Sequence, residues 1–200
     1  MHQKDVALDL YTYVGNDPLD NTDPSGESCT SSNSVYDCKV DHVPKDATKQ
    51  QLKDVAKFEK RYTAAVNKLM SHPDQQATVK VPGQKAFSVS AGEVGKSLVK
   101  AEVTAAPGTP GGANTRGDLI TLHDGILSQG NRTPQQLGAF QAMGIVHEGI
   151  HWTGWGPMPD GTRSATGERS ALDPNRLGYE PLKSLHQEPY NNAALELLGP

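Results

Sequence analysis

The segment Asn131–Gly154, NRTPQQLGAFQAMGIVHEGIHWTG, constrains the fold more than any other stretch of this chain. Thr133 can cap a helix. Pro134 suits the first helical position, where its missing N–H leaves no bond unmade, and Gln136 completes a capping box. Gly154 is placed to stop the helix. The expected helix runs over about 134–153. Leu137, Phe140, Met143, Val146 and Ile150 fall within one broad face, and Glu148 is the only acidic or basic residue besides histidine. A helix this apolar is expected to be central and buried. Gly144 shares a face with His147 and is expected to leave room beside it.

His147 and His151 are four residues apart, so on a helix they project side by side from one face. Two imidazoles at that spacing can bind one tetrahedral zinc ion. Glu148, about 100° further round, can reach a metal-bound water without being a ligand. Zinc would lower the pKa of that water and Glu148 would take its proton. Glu148 would then pass a proton to the leaving amine of a cleaved peptide. The motif resembles that of H-E-x-x-H zinc metallopeptidases, the zincins. It extends to H-E-x-x-H-x-x-G at Gly154, but the position of the next metzincin ligand is Pro157, which cannot ligate, and Met158 is not a Met-turn.

The third ligand must therefore come from elsewhere, and the candidates are Asp160, Glu168, Glu180, Glu188 and His186. HQEPYNNAALELLG reads as a helix with Pro189 near its start. Glu188 followed by Tyr190 and small residues resembles the helix that supplies the third glutamate in lethal-factor-like gluzincins, with Pro189 in place of an aromatic. That resemblance implies Glu188 as ligand, ahead of Glu168; a helix-start acid favoured by the macrodipole is the plain alternative. Tyr179 in RLGYEP resembles the tyrosine that stabilises the oxyanion in those enzymes, with His186 and Tyr190 competing for the role and simple packing as the alternative. DLITLH, a strand at about 118–123, is the natural edge strand beside the helix, where an extended substrate adds.

LDLYTYVGNDPLDNTDPSGE, Leu8 to Glu27, resembles the end of the RHS-repeat core, LYxYVxNxPxxxxDPxG. In that family the segment closes a large β-rich shell and a toxin domain follows it. The resemblance implies a tail at 1–27 and a toxin domain at 28–200. It also implies an RHS shell in the parent protein, a cognate immunity protein, and contact-dependent or type VI-like delivery of a secreted effector. MHQKDVALDL carries charges where an ordinary signal peptide has an apolar run.

Cys29 and Cys38 flank a short polar loop and can pair outside a reducing cytosol; two free thiols are the alternative. Thr48 and Gln51 form a second capping box, opening an amphipathic helix over about 48–71 in which Leu52, Val55, Phe58 or Glu59, Tyr62, Val66 and Leu69 recur near helical spacing. ATVKVP and AFSVSA alternate like the strands of a hairpin; SAGEVGKSLVKAEV stays open between helix and strand, and AAPGTPGGANTRG reads as a loop. The hydrophobic content of 35% makes the core modest. The net charge of −4, with no basic cluster, gives no sign of nucleic-acid binding, and no run is long enough for a membrane span.

The expected fold is α+β and zincin-like, with a small sheet and a central active-site helix. The expected function is that of a zinc metalloendopeptidase toxin acting on a protein of a target cell. A hydrolase of cell-wall peptide or amide bonds and a non-catalytic module with a structural metal are the alternatives.

Overall fold

The computed structural model describes residues 28–82, 86–116, 119–128, 130–153, 155–157, 163–165 and 187–199. The chain is mixed α+β, with short strands in small sheets around helices. Strands β1 (Cys29–Ser32) and β2 (Val35–Cys38) form an antiparallel hairpin turned by Asn33 and Ser34, both at positive φ. A disulfide joins Cys29 to Cys38 and lies in the core.

Helix α1 (Lys49–Ser71) opens on the expected capping box, with Thr48 and Gln51 exchanging hydrogen bonds. It buries Val55, Phe58, Tyr62, Ala65, Val66 and Leu69, whereas Leu52 stands 48% exposed, one turn short of the core. A second stripe of α1 is polar and serves β2. The N–H groups of Tyr36, Cys38 and Val40 donate to the side chains of Asn67 (2.9 Å), Thr63 (2.9 Å) and Glu59 (3.1 Å). Four helical residues rise about 6 Å and two strand residues about 6.7 Å, so the two rows stay in step. The helix thus completes an edge that would otherwise present unpaired N–H groups.

Strands β3 (Gln76–Val79) and β4 (Phe87–Ser90) make the expected hairpin, paired from Gln76↔Ser90 to Val79↔Phe87. The ambiguous stretch after it resolves into helix α2 (Ala91–Lys100), capped by Ser90 and Glu93, and strand β5 (Glu102–Ala106). Strand β6 (Ala113–Arg116) comes from the Gly- and Pro-rich segment that reads as a loop, and β7 (Leu119–His123) follows. The sheet order β5–β7–β6 puts β7 in the centre, parallel to β5 and antiparallel to β6. The DLITLH strand, expected at the edge from its place before the helix, is instead central, because β5 and β6 take up the hydrogen bonds on its two sides; Ile120 and Leu122, on one face, are fully buried. The outer side of β5 is closed by Asp41 and His42, through Asp41 N–H to Val103 O (2.7 Å) and Ala105 N–H to His42 O (2.9 Å). Strand β6 is left as the outer strand of this sheet.

A short helix α3 (Asp124–Leu127) leads to α4 (Pro134–Trp152), which opens on its Thr133–Gln136 capping box as expected. Every residue from Ile145 to Trp152 is buried. Helix α4 packs against α1, α2, α3, β6 and the C-terminal helix α5 (Gln187–Leu198). Gly149 makes the approach to α2 possible, since a Cβ there would lie 2.7 Å from Leu98 and 3.0 Å from Val94. The room beside Gly144 is not left to the site: Ile126 of α3 fills it, 2.7 Å from where a Cβ would stand. Strands β8 (Trp155–Pro157) and β9 (Arg163–Ala165) pair antiparallel beyond α4. Among the described residues no helix is long and apolar enough to cross a membrane.

Candidate metal centre

The last two turns of α4 carry three buried polar side chains, His147, Glu148 and His151, each less than 8% exposed. Burying such groups is unfavourable unless they find partners, so their partners define what the site can do. The two imidazoles turn their Nε2 atoms toward each other at 3.2 Å. Two nitrogens bound to one tetrahedral zinc at about 2.0–2.1 Å would lie about 3.3–3.4 Å apart. The pair thus has the spacing of two ligands of one ion, and the residues present fit zinc at these two positions.

The Nδ1 atom of His147 lies 2.8 Å from Oδ1 of Asn191 on α5. A carboxamide oxygen only accepts, so Nδ1 carries the proton and Nε2 keeps the lone pair that a metal needs. Tyr190, buried on the same helix, stacks on His151 with ring centroids 4.4 Å apart and planes at 26°. Its ring also lies 5.2 Å from that of His147, and Phe87 of β4 meets Tyr190 edge-on at 6.2 Å.

Glu148 meets the sheet through one side chain. The Thr115 hydroxyl on β6 donates to its Oε2 at 2.6 Å. Burial pushes the Glu148 carboxyl up from its ordinary 4.5 to about 7, and the Thr115 hydrogen bond acts in the opposite direction without cancelling it. A carboxyl so poised can both take and return a proton near neutrality.

His147, Glu148 and His151 are therefore brought together at one buried locus between α4, α5 and β6. Glu188 is exposed on the first turn of α5, one turn ahead of Asn191. Among the described residues no three His, Cys, Asp or Glu side chains are disposed to share one ion, so Glu188 is not joined to the histidine pair. Tyr179, Glu168, Asp160, Glu180 and His186 lie outside the described residues, as do residues 1–27. His123, at the end of β7, contacts Asn114 (Nε2 to Nδ2, 2.9 Å) rather than the site.

Sequence reasoning missed Thr115 and Asn191. Thr115 sits in a segment whose Gly and Pro content speaks for a loop, and nothing local marks it. For Asn191 there is a faint signal: Asn191–Asn192 occupy a helix interior, where asparagine is disfavoured unless its side chain has work elsewhere. Comparison with known proteins yields no relative: no family model matches the chain, and no curated protein or solved structure is significantly similar to it.

Proposed function

We propose that this chain is a zinc-dependent endopeptidase of zincin-like fold, hydrolysing peptide bonds in a protein of a target cell. The observation that carries the reading is the buried pair of facing Nε2 atoms 3.2 Å apart, with a proton-accepting carboxyl on the adjacent residue. His147 and His151 are two of the ligands in this reading. The third is assigned to Glu188, which lies on the helix that contacts His147 but stands exposed and apart from the pair in this structure, with Glu168 as the alternative. Bound zinc would supply Lewis-acid activation of water and of the scissile carbonyl.

Glu148 holds and moves the proton. Its carboxyl oxygens take one from the attacking water and return it to the leaving nitrogen, while Thr115 fixes the orientation of Oε2. Tyr179 is assigned to the oxyanion. An extended peptide would lie along β6, the outer strand of the sheet and the strand that carries Thr115. The likeness of residues 8–27 to the end of an RHS core supports a delivered toxin with a cognate immunity protein and an RHS shell as partners.

Substitution tests the chemistry. In Glu148→Gln the zinc content should stay intact, while the appearance of new protein N-termini in a target-cell extract falls by about 10²–10⁴-fold. His147→Ala and His151→Ala should lose the zinc. Full toxicity in a zinc-loaded Glu148→Gln protein would sink the catalytic reading in favour of a structural metal. Release of fragments from purified cell wall, with none from the extract, would move the substrate to wall peptides. Zinc content of Glu188→Gln against Glu168→Gln assigns the third ligand.

A further inference from the structure

We propose that Asn191 and Tyr190 are positioning residues for the two imidazoles, so that docking of α5 on α4 presets the site for metal. The inference rests on the zinc reading above. A neutral imidazole has one N–H and one lone pair, and two such rings can share an ion only if both lone pairs converge. Asn191 secures this for His147: its Oδ1 accepts the Nδ1 proton at 2.8 Å, which leaves the lone pair on the Nε2 that faces His151 at 3.2 Å. An amide suits the task because, unlike a carboxylate, it does not compete for the proton.

Tyr190 supplies the complementary constraint on ring planes. Its ring lies flat on His151 at 4.4 Å and against His147 at 5.2 Å, and it is 1% exposed. Phe87 holds it from the edge at 6.2 Å, with planes at 69°, so the tyrosine itself has little freedom to turn. Asn191 and Tyr190 are neighbours on α5, about 100° apart, while the histidines are one turn apart on α4. One helix face thus reaches both rings, one by hydrogen bond and one by stacking.

The test reads tautomer and affinity on the full chain, not turnover. In metal-free protein at a pH where both rings are neutral, long-range ¹H–¹⁵N spectra should show His147 protonated on Nδ1. Asn191→Leu should move that proton toward Nε2 and weaken zinc binding, measured by chelator competition, by about 10–100-fold. Asn191→Asp, which restores an acceptor, should recover most of the affinity. Tyr190→Leu, which removes the ring stacked on His151, should bind zinc more weakly than wild type. A wild-type His147 protonated on Nε2 would overturn the proposal without any variant, which covers the case of an unfolded Asn191→Leu. Unchanged tautomer and affinity in that variant, with wild type binding zinc, would overturn the positioning role alone. Failure of wild type to bind zinc would instead remove the metal reading beneath it.

Discussion

Helices α1 and α4 begin with the same device, a threonine cap answered by a glutamine three residues on, and then use their polar residues in opposite ways. In α1 the polar stripe Glu59, Thr63 and Asn67 pairs with backbone N–H groups of β2 and of Val40 just beyond it. Each bond there closes a structural account, and α1 keeps a solvated face besides. Helix α4 has no such stripe. It is apolar nearly all round; Gln141 bonds the main chain at Ile126 O, but the buried polar residues of its last two turns face one another or single side chains on β6 and α5. Polar groups that satisfy the main chain hold a fold together; polar groups gathered on each other in a buried locus, with a displaced pKa, are the arrangement that sites use.

The largest effect that sharpens this contrast is the pH dependence of stability in metal-free protein. The folded-state pKa of Glu148 is raised, so its protonated form favours the fold. That contribution is fully present below about 4.5 and is lost as the pH rises through about 7. Relative to Glu148→Gln, wild type should lose up to about 3 kcal/mol over this window, measured by urea unfolding. A flat difference curve for Glu148 would remove the distinction between the two helices.

Next comes packing. Gly149→Ala should destabilise by about 1–3 kcal/mol, because Leu98 and Val94 on α2 must both move to admit the methyl group. Thermal unfolding reads it, and a neutral result would mean that α4 is not held as closely as its burial implies. Asn67→Leu should cost about 1–2 kcal/mol by leaving the Tyr36 N–H and C=O without their side-chain partner, with zinc affinity unchanged. Loss of zinc binding in that variant would couple the two regions that the comparison separates. Smallest of all, Leu52→Lys should lie within about 0.5 kcal/mol of wild type, since Leu52 is 48% exposed.

The sequence by itself determined the elements whose instructions are local. Capping boxes, proline at the first helical position and apolar periodicity placed α1 and α4 within a residue or two of their observed ends. Alternation placed the β3–β4 hairpin, and the i, i+4 spacing placed His147 and His151 on one face. The close approach of Cys29 and Cys38 across a short loop belongs to the same class. What only the tertiary structure decided depends on neighbours remote in the chain. Strand β6 forms inside a Gly- and Pro-rich segment because β7 supplies its hydrogen bonds, and β7 is central because β5, which precedes β6 in the chain, skips over it to pair with the other edge. Leu52 stands 48% exposed despite its place in the apolar stripe, since which turns of a stripe are covered is a matter on which helical periodicity is silent. Thr115 reaches Glu148 across 33 residues and Asn191 reaches His147 across 44, contacts that no local pattern encodes. A helix can present two histidines and a glutamate from its own spacing, but the proton positions and ring planes that make them a site come from the surfaces packed against it.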